Sequence, residues 1–294
     1  MVPRDQDGAA VHPVDDYLFD GWRDAGVDPT KPNIARVYDY WLGGCHNLVV
    51  DRELGNAMAT LDPWIPAACK ANRAFLGRAV GFLASQGIRQ FLDIGSGIPT
   101  AGNVHEVVQA TAPDARVVYV DRDPVAVAMG RKLLVGNDRA AVVQADIRDP
   151  QAILDHAAVA ELIDFDEPVA IMLVAILHFV LDADEPYQIV RLLRDAAAPG
   201  SYLVLSHVTS QNNEAMAAAA ERIYNSRAAD GQARSREQIA GFFGDGDWEL
   251  AAPGLVYAPQ WRPRVPGDVQ QHSERSWFLV GVARKQDEQG RSGH

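Results

Sequence analysis

The hydrophobic pattern divides the chain into two parts, and the first part is helical. Apolar residues recur at i, i+3, i+4, i+7 and i+8 in one stripe, which Gly43-Gly44 ends. The stripe consists of Ile34, Val37, Tyr38, Trp41 and Leu42. Helical spacing then continues to about residue 86, with breaks predicted at Pro63 and Pro66. Since no strand pattern precedes Arg89, we expect a helical N-terminal region.

Strands and helices alternate in the second part. Short apolar runs predict strands at 90–94, 117–121, 141–144, 169–174 and 202–207. Helical spacing fills the gaps at 104–110, 125–135, 151–158 and 186–197. Helices at 214–228 and 236–243 precede two strand-like runs, 248–257 and 277–284, which no helix separates. The alternation predicts an α/β fold with a parallel sheet covered on both faces and a closing antiparallel pair of strands.

The same pattern defines four segments. Residues 1–30 are rich in Asp, Pro and Gly with little periodicity, so we expect a flexible arm. Residues 31–87 form the predicted helical cap, 88–285 the α/β core, and 286–294 a polar, flexible tail. A chain of 294 residues with 48% hydrophobic residues is long enough for such a core with an added cap.

The composition argues against several other classes of protein. The excess of acid, with 27 basic against 39 acidic residues, argues against a nucleic-acid partner, because phosphate binding needs clustered Lys and Arg; a local basic patch can still occur within an acidic total. Cys45 and Cys69 are too few for a disulfide framework or a Cys-rich metal site. The longest apolar run, 169–181, is too short to cross a membrane as a helix, and residues 1–10 lack the apolar core of a signal peptide. We therefore expect a cytoplasmic protein without a nucleic-acid or membrane partner.

A glycine turn between two strands carries the clearest chemistry. Asp93, Gly95 and Gly97, with Ser96 between the glycines, form a D-x-G-x-G motif at the end of the first strand. The second strand ends in Asp121, 24 residues after Gly97. Glycines let the backbone approach a nucleotide closely, and the acid accepts hydrogen bonds from the ribose hydroxyls. The same glycines could simply mark a tight strand-to-helix turn, but the two acids in register favour a nucleotide site, in the form used for S-adenosylmethionine (SAM).

The loop departs from the simplest form of this motif. Thr100 stands where a dinucleotide fingerprint has Gly or Ala, which counts against NAD(P). Asn103 and Glu106 have the spacing of a capping box, so the helix is predicted to begin at Asn103 after an unusually long turn. Arg122 follows Asp121 towards the ligand, whereas Asp123-Pro124 is equally typical of a helix start.

Three stretches together support a resemblance to a known family. They are Ala35–Gly44 with Asn47, Asp93–Thr100 with Asn103–Glu106, and Pro253–Val256 with Trp261-Arg262-Pro263. The chain resembles the actinobacterial S-adenosyl methyltransferase family, formerly a domain of unknown function, within the Rossmann-like class I methyltransferases. The resemblance covers residues from about 30 to 285. It implies SAM as the cofactor but supplies no methyl acceptor.

The resemblance also implies roles for residues at the strand ends. The Gly95 region would hold the methionine part of SAM, and Asp121 the ribose. Asp146 would bond the adenine amino group and the Ile147 amide would meet the ring, although Asp146 could instead cap the next helix. The fourth strand ends at Val174 and Ala175, at the crevice where open α/β sheets bind ligands.

Candidates for acting on the acceptor follow the fourth and fifth strands. Leu177-His178-Phe179 is similar to the Leu-His-His element of many small-molecule methyltransferases, so His178 either contacts acceptor or sulfonium or is structural. His207 and Tyr187 are the other candidate catalytic residues. Trp41 and Tyr38 either wall the acceptor pocket or belong to the core.

The first helix carries a further candidate. Arg36 and Tyr40 lie on the face away from Val37 and Trp41. This face could be solvated, but Tyr40 suits water poorly and Arg36 suits bidentate capture of a carboxylate. We therefore expect the helix to cover the cofactor, with Arg36 and Tyr40 near its methionine end.

The sequence therefore predicts a SAM-dependent methyltransferase that acts on a small molecule. Methyl transfer is dominated by positioning and electrostatics, so no fixed catalytic triad can be sought. The alternatives are an NAD(P)-dependent oxidoreductase, which Thr100 and Asp93 disfavour, and a non-catalytic SAM-binding regulator.

Overall fold

A computed structural model describes residues 27–100, 102–211, 214–244, 246–264 and 273–287. Most of the predicted arm, residues 1–26, and of the predicted tail, residues 288–294, lies outside this range. Val27 and Asp28, which the prediction gave to the arm, line the central cavity described below. The cap therefore begins before residue 31.

Three helices form the N-terminal cap: α1 (Ile34–Leu42), α2 (Val49–Leu61) and α3 (Ile65–Ser85). The Asn33 side chain accepts the first amides of α1, and Gly43 ends the helix in the left-handed region at φ 86°. The predicted break at Pro66 is wrong. Pro66 lies in the first turn of α3, where its missing N–H costs no hydrogen bond, so the helix continues through it.

The core is an eight-stranded sheet, predominantly parallel. Its parallel strands are β1 (Gln90–Ile94), β2 (Arg116–Asp121), β3 (Ala140–Gln144), β4 (Ala170–Val174) and β5 (Tyr202–Val208). Beyond β5 lie β8 (Phe278–Lys285) and then β6 (Trp248–Leu250), so the strand order is β3-β2-β1-β4-β5-β8-β6, with β8 antiparallel to β5. The predicted α/β fold with an antiparallel final strand is confirmed.

Helices connect the strands and cover the sheet. They are α4 (Val104–Gln109), α5 (Pro124–Leu133), α6 (Pro150–Leu154), α7 (Ala157–Leu162) and α8 (Pro186–Ala196). After β5 come α9 (Glu214–Asn225) and α10 (Arg236–Gly241). The single helix predicted at 151–158 is two helices, because the His156 side chain accepts the Ala158 amide and starts a second one.

The C-terminal strand region differs from the prediction in one respect. The run 248–257 is two strands, β6 (Trp248–Leu250) and β7 (Val256–Tyr257), with Pro253 between them. Pro253 has no N–H to give to a strand ladder, which is the physical reason for the break. Both strands pair with β8 in antiparallel register.

Two apolar clusters lie on opposite faces of the sheet. Phe91 belongs to the cluster that contains the cap residues Val37 and Phe75, and Leu92 belongs to the other. Successive strand residues point to opposite faces, so the cap is packed on one face only. No helix in the described part of the chain is long and apolar enough to cross a membrane.

Candidate active site

A cavity of about 570 Å³ lies at the carboxyl ends of the parallel strands. It runs along the sheet edge from Asp146 after β3, past Asp121 and Gly95, to Ala175 after β4 and Val208 at the end of β5. This edge is where open α/β sheets bind ligands. Helix α1 contributes all of its residues except Val37 and Tyr40 to the cavity wall, so the cap closes the cavity on one side.

The glycine turn needs glycine for two separate reasons. Gly95 and Gly97 have φ of 78° and 66°, in the left-handed region that side chains disfavour. A Cβ on Gly95 would lie 2.6 Å from Cγ1 of Ile176, so a side chain cannot fit there. The Gly95 amide donates to the Val120 carbonyl at 2.7 Å, which fixes the turn against β2. The turn thus presents bare backbone to the cavity.

Asp121 holds the loops that surround it. Its Oδ2 accepts the Gly97 amide at 2.7 Å and its Oδ1 accepts the Asp123 amide at 2.8 Å. Burial raises the pKa of Asp121, and these two amides oppose the rise. Each carboxylate oxygen retains acceptor capacity. Because Asp121 also lines the cavity, it can accept hydrogen bonds from a ligand's hydroxyls.

Asp93 is a buried acid in the same wall. Burial raises its pKa to about 7; the positive charge of Arg73 opposes this shift and the nearby Asp121 adds to it. A carboxyl group in this state ionises readily when a cationic group arrives beside it. Asp93 can therefore compensate a ligand's positive charge.

The loop after Gly97 uses its polar groups internally. The predicted capping box is present: Glu106 Oε2 accepts the Asn103 amide at 2.8 Å, and α4 begins at Val104. The same Glu106 oxygen accepts the Gly102 amide at 2.9 Å, and Asn103 Oδ1 accepts the Thr100 amide at 3.2 Å. These amides are therefore not directed at a ligand.

Asp146 lies at the opposite end of the cavity. Its Oδ2 is 3.7 Å from Arg122 Nη1 and 3.2 Å from Arg148 Nη1. The alternative that Asp146 caps the next helix is wrong, because Asp149 caps α6 by accepting the Ala152 amide. Ile147 is buried and also lines the cavity, next to the half-buried Asp146.

The end of β4 has an unusual backbone. Ala175 has φ of 58°, and its amide donates to the Ser206 hydroxyl at 2.9 Å. Val174 and Ala175 both line the cavity, as the sequence predicted for the crevice side of the fourth strand. The left-handed residue turns the chain directly into the short helical turn that carries His178.

His178 is the one predicted catalytic residue that reaches the cavity. It is 9% exposed, and its Nδ1 has no hydrogen-bond partner. Burial, and then the charge of Arg234, lower the pKa of His178 to about 3. The imidazole is therefore neutral at physiological pH and is a weak base.

His207 and Tyr187 do not reach the cavity. His207 is fully buried, with Nδ1 2.7 Å from the Val208 carbonyl oxygen and Nε2 2.8 Å from Arg234 Nη1. Tyr187 is 39% exposed, stacks on Phe242 and donates to the Gln238 carbonyl at 3.1 Å. The expectation that both face the crevice is wrong. His207 packs against Arg234 and the ring of Phe242 at the end of α10, and Tyr187 is a partly exposed residue of α8.

The predicted position of Tyr40 beside the cofactor is also wrong. Arg36 lies at the cavity as predicted, but its charge already has a protein partner. Tyr40 packs on Gly55 of α2 and donates to Asn56 Oδ1 at 2.9 Å, away from the cavity. Arg36 does line the cavity, but its Nε lies 2.7 Å from Asp51 Oδ2 and its Nη2 donates to the Lys31 carbonyl. Asp51 thus compensates the charge that the prediction reserved for a ligand carboxylate.

Sequence reasoning missed Arg73 on α3. Arg73 lines the cavity near Asp93, and its Nη2 donates to Asn103 Oδ1 at 3.1 Å. The only signal in the sequence is a cation within an otherwise apolar helix, which does not indicate its target. Glu221 and Tyr224 on α9, a helix distant in sequence from the glycine motif, line the cavity as well. No cluster of metal-ligating side chains occurs within the described ranges.

Comparisons with known proteins show which family and fold the chain resembles. A family model described as S-adenosyl methyltransferase matches residues 20–286. A structure of a candidate methyltransferase from Thermobifida fusca YX is 43% identical, covers 90% of this chain and 99% of its own, and has a TM-score of 0.85. A DUF574 family protein from Streptomyces avermitilis is 39% identical over 88% of this chain and 99% of its own, with a TM-score of 0.84.

A more distant structure supports the fold alone. An O-methyltransferase family protein from Burkholderia thailandensis is 15% identical over 94% of this chain and 71% of its own, with a TM-score of 0.50. The search of curated proteins gives no match.

Proposed function

The chain belongs to the S-adenosyl methyltransferase family and uses SAM as its cofactor, and we propose that it transfers the methyl group to a small-molecule acceptor bound in the same cavity. One observation supports this most strongly. The cavity that begins at the glycine turn and Asp121 continues without interruption to His178 and the aromatic residues of α9 and β8. Cofactor and acceptor can thus share one enclosed space.

We assign the adenosine end to the side of β2 and β3. The two remaining acceptor positions of Asp121 suit the two ribose hydroxyls, and the backbone of Ile147 suits the adenine ring. Asp146 would accept from the adenine amino group, with Arg122 beside it. This assignment keeps the roles that the sequence predicted for these four residues.

We assign the methionine end to Gly95, Ser96 and the wall formed by Asp93 and Arg73. Arg73 is a cation suited to the methionine carboxylate, and Asp93 is an acid suited to the ammonium group. Arg36 stabilises this wall through Asp51 rather than by binding the cofactor. The cavity wall therefore offers one cation and one acid, which complement the carboxylate and the ammonium group at the methionine end of SAM.

The chemistry asks the protein mainly for position. When bound, SAM supplies an activated methyl group that is transferred by in-line displacement. The glycine turn and Asp121 fix the donor, and α1 excludes water from it. His178, neutral at working pH, can hold the acceptor by a hydrogen bond at its unpartnered Nδ1. Because its pKa is so low, we do not assign it the removal of a proton from an alcohol.

A small acceptor follows from the enclosure. Residues of α1, α3 and α9 cover the cavity from the side opposite the sheet. A methyl-accepting atom on a macromolecule would have to pass these helices, whereas a small molecule can lie inside. A carrier that only senses SAM would need no second compartment, which makes a non-catalytic regulator the weaker candidate.

Transfer of a labelled methyl group tests the proposal. The full chain is incubated with methyl-labelled SAM, at a concentration near the wild-type Kd, and a fractionated small-molecule extract, with Asp121→Ala as the control that should bind the cofactor much more weakly. We expect label in one or few small-molecule fractions, together with stoichiometric S-adenosylhomocysteine. Tight SAM binding with no labelled product in any fraction would favour the regulator instead.

A further inference from the structure

One part of the cavity differs chemically from the rest, and we call it the acceptor end. It lies over β4, β5 and the start of β8, and its wall contains Phe179, Val208, Trp277 and Phe278. In the strand order these strands lie two, three and four places away from β2, which Asp121 ends, and adjacent strands are about 4.8 Å apart. Inference about this region rests on the proposed function, since it concerns the acceptor for that transfer.

Helix α9 presents one face to the acceptor end. Ala217, Ala220, Glu221 and Tyr224 are spaced i, i+3, i+4 and i+7, and all four line the cavity. The two alanines leave space between the helix and the sheet. The Tyr224 ring centroid lies 6.0 Å from that of Phe179 and 6.4 Å from that of Trp41. The three rings are in contact with one another and form one continuous aromatic wall of the cavity, which suits a flat, apolar molecule packed against it.

The basic residues of the cavity wall lie elsewhere in the cavity, and most of them have an acidic partner close by. Lys31 is 3.3 Å from Asp28, and Arg122 and Arg148 share Asp146. The other two, Arg36 and Arg73, belong to the wall at the methionine end described above. Behind His178, Arg234 pairs with Asp182 at 2.7 Å and does not line the cavity.

Glu221 is the acidic group of the acceptor end, and no basic side chain lines that end among the described residues. Its Oε1 accepts the Ala233 amide at 2.6 Å, which holds the carboxylate in place against the loop before α10. A fixed negative charge among aromatic rings favours a ligand that carries, or acquires, positive charge.

His178 provides an independent sign that a polar ligand binds here. Its Nδ1 is buried and has no hydrogen-bond partner in the protein, and His178 is one of the residues that line the cavity. Buried polar atoms are ordinarily hydrogen-bonded, so this atom awaits a partner from the ligand. The acceptor end thus combines ring faces, one carboxylate and one neutral imidazole nitrogen.

We propose that the methyl acceptor is a planar aromatic molecule with a weakly basic nitrogen that is uncharged at neutral pH, that this nitrogen receives the methyl group, and that Glu221 stabilises the positive charge that develops on it. The nitrogen's lone pair forms the new N–C bond while the C–S bond breaks and its electron pair stays on sulfur. The products are S-adenosylhomocysteine and an N-methylated cation, which loses its N–H proton to solvent where it has one.

The charge movement explains why a carboxylate helps. Positive charge leaves the sulfonium and appears on the acceptor nitrogen, so an acid on the acceptor side stabilises the transition state more than the ground state. No strong base is required, because the nucleophile is already a neutral lone pair. An acceptor that reacts as an anion, such as a phenolate or carboxylate, would instead be repelled by Glu221.

Two ligands that share the same indole ring system but carry opposite charges test the proposal directly. Binding of tryptamine and indole-3-propionate to the full chain is measured by equilibrium dialysis with saturating S-adenosylhomocysteine. We expect tryptamine to bind at least about tenfold more tightly, the scale of one charge-assisted hydrogen bond. Glu221→Gln keeps an oxygen for the Ala233 amide but removes the charge, and should bring the ratio of affinities near one.

A matched control and distinct failures make the result decisive. Glu214→Gln, at the exposed start of the same helix, should leave the ratio unchanged. A wild-type ratio near one, tighter binding of the anion, no binding of the amine, or a ratio that survives Glu221→Gln would each overturn the proposal. If that variant does not fold, the wild-type ratio alone decides. Failure of S-adenosylhomocysteine itself to bind would instead refute the proposed function.

Discussion

Replacing Asp121 by alanine is expected to weaken SAM binding without unfolding the protein. The carboxylate accepts two loop amides, from Gly97 at 2.7 Å and Asp123 at 2.8 Å, and under our assignment also two ribose hydroxyls. Its removal should therefore lower two quantities: the folding stability of the protein without ligand, and the affinity for SAM. The two effects can be measured separately.

The magnitudes follow from these contacts. Hydrogen bonds to a charged group are worth about 1.5–3 kcal/mol, so the loss of the ribose contacts should raise the Kd for SAM about 10- to 150-fold. The two amides face a partly exposed position that water can enter, so the loss of folding stability should be only about 1–2 kcal/mol. The protein should thus remain folded at room temperature.

Calorimetric titration with SAM and a thermal melt of the empty protein provide the two readings. Asp114→Ala is the control, because Asp114 is 66% exposed and its pair with Arg89 is 3.5 Å long at the surface. A folded Asp121→Ala protein that binds SAM with wild-type affinity would refute the ribose assignment. A protein that fails to fold would show that the loop contacts outweigh the ligand contacts, contrary to the estimate.

Three further predictions concern the cavity wall, and a fourth concerns Tyr187, which lies outside it. Arg73→Gln should weaken SAM binding about 10- to 100-fold in calorimetry, with little change for adenosine, because only the methionine carboxylate is lost. Asp93 has a pKa of about 7 in the unliganded protein, so it carries a proton at pH 6 and bound SAM displaces it. SAM affinity should therefore rise up to about tenfold between pH 6 and 8, and Asp93→Asn should abolish the rise. His178→Asn should keep SAM binding and lower kcat less than about tenfold, and Tyr187→Phe should change neither; a 10²–10⁴-fold loss at His178 would show that it acts as a base after all.

The Asp93 carboxyl group also links pH to the stability of the unliganded protein. Its folded-state pKa of about 7 lies above the ordinary value of 3.8, so the folded protein holds a proton that the unfolded chain releases between these values. Stability from this group is present below about pH 4 and is lost as the pH rises to 7. His178 has the opposite sign: its depressed pKa lowers stability as the pH falls from 6.5 towards 3.

Local patterns predicted the sheet closely. The first strand was predicted at 90–94 and occupies Gln90–Ile94, because a short apolar run bounded by a glycine turn leaves little freedom of register. The start of α4 was also predicted correctly, because the two residues of its capping box, Asn103 and Glu106, are only three positions apart in the sequence. Asp121 lies at the cavity because it ends a parallel strand, and the carboxyl ends of parallel strands meet at the sheet edge where the ligand crevice forms.

The errors arose where a partner is distant in the sequence. Arg36 has Asp51 of another helix as its partner, and His207 has Arg234, which follows it by 27 residues. Neither pairing leaves a periodic signal near the residue itself. Tyr40 was misplaced because the close approach of α1 to Gly55 gives its ring an apolar contact outside the cavity. Glu221 went unnoticed for the same reason, since only the fold brings α9 over the sheet edge.

A crystal structure of the full chain with S-adenosylhomocysteine tests the central claim most directly. We predict the ligand in the cavity at the strand ends, with both ribose hydroxyls within hydrogen-bond distance of Asp121 and the carboxylate at Arg73. The sulfur should face the space between His178 and Glu221. A ligand bound elsewhere, one in the reverse orientation, or one whose sulfur is walled off from that space would contradict the account.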